Sequence, residues 1–160
     1  MKNNVDFSKL KVAVFICIVL SVGPFFGQND LNEDMENSLV RTHTDKDLQW
    51  GPCPSFMPTG CTISVLHGDP TKNNLDVFFK VPANYEIPEH WHNSAERMIL
   101  VSGELQVTYE GEIENTMKVG SYAFGPSSKP HKAKCVSADP CVLFIAFVDP
   151  LDAFPIVIKE

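Results

Sequence analysis

Between Cys61 and Val148 the apolar runs are short, and each is closed by Gly, Pro or a polar turn. Residues 62–67 stop at Gly68-Asp69-Pro70, and residues 75–81 stop at Pro82. Residues 97–101 turn at Ser102-Gly103 into 104–109, which end near Gly111. Residues 117–124 contain a turn at Gly120 and end at Gly125-Pro126. Residues 131–136 turn through Ser137-Ala138-Asp139-Pro140 into 141–148. Regular short runs with this punctuation describe an antiparallel sandwich or barrel. With 12 Pro against 9 Gly, helix is expected to be scarce, because Pro is excluded from helix interiors. The stretch 142–148 is nearly continuous in apolar residues and is expected to be buried on both faces. The predicted fold class is all-β, a double-sheet jelly roll.

The first residues read differently. Lys2, Lys9 and Lys11 precede an apolar run at 12–22, and Gly23, Pro24 and Gly27 follow it. A basic start, a short apolar centre and a small-residue exit describe a secretory signal peptide at 1–27. The run is too short to span a bilayer, so no stable membrane anchor is expected after cleavage. Residues 28–50 are polar and acidic and read as a flexible leader, 51–150 as the barrel and 151–160 as a C-terminal tail. Losing 1–27 removes three of 13 basic residues and one of 20 acidic ones, leaving a net charge of −9. Such a surface repels phosphate backbones, which argues against nucleic-acid binding.

Four cysteines remain after the signal segment: Cys53, Cys61, Cys135 and Cys141. An even number in an exported chain favours disulfides. Of the three pairings available, Cys53–Cys61 with Cys135–Cys141 closes the shortest loops. Cys135 and Cys141 stand symmetrically about Ala138, which predicts opposed positions in a hairpin. The expected localisation is secreted or periplasmic.

The stretch Pro88-Glu89-His90-Trp91-His92-Asn93-Ser94-Ala95-Glu96 carries the chemistry. In a strand, residues two apart share a face, so His90 and His92 can reach one point while Trp91 turns away. Glu96 can return to that face from the next strand, and His131 opens a later one. Three imidazoles and one carboxylate make an N/O site suited to a divalent first-row ion: Fe²⁺, Mn²⁺, Ni²⁺ or Zn²⁺. His43 lies in the polar leader and His67 beside a turn, and neither is expected to join the site.

These residues resemble the two cupin motifs, G-x5-H-x-H-x3-4-E-x6-G and G-x5-P-x-G-x2-H-x3-N. His90, His92, Glu96 and Gly103 match the first; Gly120, Pro126 and His131 match the second. Asn84 and Ser128 stand where the motifs have Gly, and Cys135 replaces the final Asn. The resemblance spans residues 60–148 and implies a cupin barrel with one metal ion held by His90, His92, Glu96 and His131. It also implies a homodimer, since an open jelly roll leaves strand edges that need cover. Trp91 is a candidate for that contact.

The resemblance implies a small-molecule enzyme of dioxygenase, isomerase or decarboxylase type, with Phe79, Leu100 and Phe144 as candidates to line the cavity. Fold alone does not select among these reactions. The alternative is a non-catalytic metal- or ligand-binding sensor, similar to the zinc-binding cupin domain of some anti-sigma factors. Glu86, Glu89 and Glu104 read as surface charges.

Overall fold

The computed structural model describes residues 37–156; the expected signal peptide at 1–27 and the first part of the leader lie outside them. The strands are β1 (Gly51–Pro52), β2 (Thr62–His67), β3 (Leu75–Val81), β4 (Glu86–Trp91), β5 (Glu96–Ser102) and β6 (Glu104–Tyr109). They continue with β7 (Asn115–Lys118), β8 (Tyr122–Gly125), β9 (His131–Cys135), β10 (Cys141–Phe147) and β11 (Phe154–Pro155). Among the described residues there is no helix.

All strand pairs are antiparallel and build two sheets, ordered β1-β2-β3-β10-β5-β8 and β11-β4-β9-β6-β7. This is an all-β double-stranded β-helix. The two-residue period sorts the side chains: β6 buries Leu105, Val107 and Tyr109 and turns Glu104, Gln106 and Thr108 to the other face. Leu75, Val77 and Val81 on β3 and Leu143, Ile145 and Phe147 on β10 join them in one core. Each fully buried aliphatic side chain contributes roughly 1.5–3 kcal/mol relative to exposure. On β10, however, Phe144 and Ala146 are only half-buried, so the strand is not closed on both faces.

The turn expected at Gly120 separates β7, which pairs with β6, from β8, which pairs with β5 in the opposite sheet. β9 and β10 do not form the expected hairpin. Both edges of β9 are taken by β4 and β6, and both edges of β10 by β3 and β5, so neither has backbone groups left for the other. The chain instead crosses between sheets through 136–140.

Cys135 and Cys141 lie at disulfide distance, with Cα atoms 5.7 Å apart, and so tie the two sheets together rather than two strands of one. Gly103 sits against this pair with φ +82°, where a Cβ would come within 2.8 Å of Cys141 Sγ. Cys53 and Cys61 are also at disulfide distance. Their loop is fastened to the barrel by Tyr85, whose hydroxyl donates to the Pro58 carbonyl. Two such pairs are what an oxidising environment favours.

Candidate metal centre

Four side chains from three strand ends meet inside the barrel. His90 is the penultimate residue of β4 and His92 follows its end; Glu96 opens β5 and His131 opens β9. His90 and His131 are register partners across β4 and β9. All four are buried, Glu96 at 3% exposure. The ligating atoms of His90, His92 and His131 lie within 4.8 Å of one another and could hold a metal ion. Glu96 Oε1 is 3.3 Å from His131 Nε2, and Glu96 Oε2 is 3.8 Å from His92 Nε2. Neighbouring ligands of an ion with bonds of about 2.1 Å are separated by roughly 3–4 Å. Trp91 turns outward and stacks on Phe154, with ring centroids 4.6 Å apart.

The hydrogen bonds behind the rings decide what faces inward. His90 Nδ1 lies 2.7 Å from the Pro88 carbonyl oxygen, and His131 Nδ1 lies 3.1 Å from that of Lys129. His92 Nδ1 is paired with the Asp152 carbonyl. A carbonyl only accepts, so each Nδ1 is the protonated donor and each Nε2 presents a lone pair to the centre. A backbone carbonyl behind an imidazole fixes both tautomer and ring orientation for a metal. Glu96 Oε1 is buried and without a hydrogen-bond partner. The three imidazole lone pairs therefore come together where no N–H meets them, with the orphaned Glu96 carboxyl beside His92 and His131, and the residues present fit a divalent cation.

Titration behaviour follows from burial. Loss of water holds His90 at about 3, with the His131 and His92 rings adding to the effect, and holds His131 at about 4. His92 is lowered for the same reason, against the opposing pull of the Asp152 carbonyl. Burial pushes the Glu96 carboxyl up to about 8. The neighbouring Tyr109 phenol is raised by burial and by Glu96 and Glu112. Without a cation, the cluster holds neutral imidazoles around a protonated acid at neutral pH.

Residues 77–147, which include all four residues, match the sequence profile of the cupin domain family. The chain carries a cupin domain. No curated protein matches it in sequence. Among solved structures, the DMSP lyase DddQ from Ruegeria pomeroyi DSS-3 aligns with a TM-score of 0.58 at 19% identity, over 68% of this chain and 60% of that one. Oxalate decarboxylase from Bacillus subtilis aligns with a TM-score of 0.55 at 18% identity, over 69% of this chain and 30% of that one. KdgF from Halomonas sp. aligns with a TM-score of 0.52 at 19% identity, over 62% and 87%. The chain thus spans about three-fifths of the lyase's length, and these likenesses show the cupin fold.

Several residues that support the cupin site carry no signal in the sequence. Asp152 serves through its main-chain carbonyl, and its carboxylate accepts from the Asn93 backbone N–H at 2.9 Å and from the Asn93 side-chain amide at 2.6 Å. Ser94, 1% exposed, accepts the N–H groups of both Val148 and Asp149 at 2.9 Å, which fastens the loop between His92 and Glu96 to the end of β10. The Ser128 N–H donates to the His92 carbonyl at 2.7 Å. Asn84 and Ser128, which replace motif glycines, adopt φ of 59° and 62°, so the left-handed backbone is kept without glycine. His43 instead packs edge-on to Phe78, and Glu86 pairs at the surface with Lys134.

A cavity of about 730 Å³ opens on the four residues. Phe79 lines it as expected, but Leu100 and Phe144 do not. Leu100 is packed into the core, and Phe144 lies on the other face of β10 from Leu143, Ile145 and Phe147, which do line the wall. Segments 49–54 and 151–153 complete the lining.

Proposed function

We propose that this cupin domain binds one divalent first-row ion through His90, His92, Glu96 and His131 and is a metal-dependent enzyme acting on a small molecule. The observation that carries the reading is the set of acceptors: three clustered imidazoles whose Nδ1 atoms are held by backbone carbonyls, beside Glu96, whose Oε1 has no partner. A bound ion would supply Lewis-acid polarisation of a substrate oxygen. The chain's own part is to orient the ligands, exclude water with the apolar wall and enclose the substrate in a cavity of enzymatic size, about 300–1,000 Å³. A cavity of that size over the ligands favours catalysis over a bare metal sensor.

The reaction types we place first are dioxygenation, isomerisation and decarboxylation, chemistries that a metal-polarised oxygen serves. The disulfide-distance cysteine pairs support export, with 1–27 as the signal peptide. Among the described residues no strand pairs with the outer edge of β8, which supports a homodimer. An oxygen-consumption and product screen of the metal-loaded chain with small carbonyl and aromatic compounds tests catalysis. Turnover is expected from the unmodified chain and not from His92→Ala; equal turnover in both would refute the reading.

A further inference from the structure

The wall of the cavity beyond the four ligands constrains what the site takes. Among the described residues lining it there is no Lys or Arg. The charged or amide side chains in that wall, apart from the ligands, are Gln49 and Asp152. Neither is a cation: Gln49 is exposed, with its Nε2 donating to the Asp47 carbonyl, and the Asp152 carboxylate accepts from Asn93. What remains is largely hydrocarbon and thioether, including Met57, Met98, Met117, Leu143 and Ile145. Unbranched Met side chains let such a wall adjust to different apolar shapes.

An anionic group on the body of a substrate would lose its water here and find no counter-charge. The metal end differs: a divalent ion with three neutral imidazoles and one carboxylate keeps one positive charge uncompensated. Resting on the metal-centre reading above, we infer that the site takes a molecule with one oxygen-donor head for the ion and a hydrocarbon-rich body that carries no second anionic group. Dianions, with a second charge remote from the head, are excluded.

Three hydroxamates with the same chelating head test this on the full chain loaded with Co²⁺, whose visible spectrum reports both the ion and its ligands. Octanohydroxamate is expected to bind at least about thirtyfold tighter than acetohydroxamate, since each buried methylene strengthens binding severalfold. Suberic monohydroxamate, in which a carboxylate replaces the terminal methyl, is expected to bind at least about tenfold more weakly than octanohydroxamate. If cobalt binds and the three compounds bind alike, or the carboxylate-ended one binds tightest, the substrate class is wrong while the metal centre stands. If cobalt fails to bind, or binds equally to His92→Ala, the metal reading fails and the substrate class with it.

Discussion

Glu96 and Gly125 stand opposite one another in register across β5 and β8, and a Cβ on Gly125 would lie 2.7 Å from Glu96 Oε1. The missing side chain at Gly125 is what leaves room for the carboxyl to lie inside the barrel. Gly125→Ala should push Glu96 away from the imidazoles. We expect metal affinity to fall about 10- to 100-fold, as for other disturbed ligand supports. Equilibrium metal titration alongside circular dichroism checks this; unchanged affinity in a folded variant would remove Glu96 from the ligand set.

Binding at neutral pH should release a proton. Without metal, Glu96 stays protonated up to about 8, while His90 at about 3 and His131 at about 4 are already neutral. Uptake of Zn²⁺ at pH 7 is therefore expected to release about one proton per ion, from Glu96. Affinity should rise with pH and level off above about 8. The metal-free fold has the matching signature. The raised Glu96 gives stability that is full below its ordinary value of 4.5 and lost as pH rises to about 8. The lowered histidines give stability that is full above 6.5 and lost as pH falls to about 4 and then 3. Calorimetry in buffers of different ionisation enthalpy counts the proton. Its absence would mean that Glu96 is already ionised in the metal-free protein.

The same left-handed backbone at two positions yields a stability prediction. Ser128 at φ 62° carries a Cβ where glycine is unstrained. Ser128→Gly should stabilise by roughly 0.5–1 kcal/mol and raise the melting temperature by a few degrees, while keeping the N–H bond to His92. Thermal unfolding measures it. A fall in stability would mean that the Ser128 hydroxyl does more than its single 3.3 Å contact with Ser127 suggests.

Much of this site is legible in the sequence, for a physical reason. Metal ligation demands particular residue types, and the two-residue strand period fixes how far apart they stand, so His90, His92, Glu96 and His131 can be picked out together. The strand breaks are equally legible, because Gly and Pro end β-runs locally. The placement of β9 and β10 in different sheets is not. Symmetric spacing of Cys135 and Cys141 about Ala138 suits a hairpin as well as a crossing, and what decides is the occupation of β9 by β4 and β6. Asp152 is invisible for another reason: it serves His92 through a main-chain carbonyl, which any residue type supplies. Gly125 reads as a strand stop, and its steric service to Glu96 appears only across the strand pair.

That crossing changes what the second cysteine pair should do. Cys135 ends β9 and His131 begins it, so the pair lies at the other end of the strand from the metal centre. Closing so short a loop contributes about 2–3 kcal/mol by chain entropy. The double variant Cys135→Ala/Cys141→Ala is expected to melt lower, yet to keep metal affinity within about threefold. A large loss of affinity in a folded double variant would show that the tie between sheets also holds His131.

Metal content distinguishes the proposed four-ligand centre from a cluster of histidines that holds no ion. Chain purified, stripped with chelator, reloaded with excess Zn²⁺ or Fe²⁺ and dialysed should retain about one ion per chain by elemental analysis. His92→Ala and Glu96→Gln should each retain far less under the same treatment while remaining folded. No retained ion in the unmodified chain, or equal retention in all three, would rule out a metal centre built on these four residues.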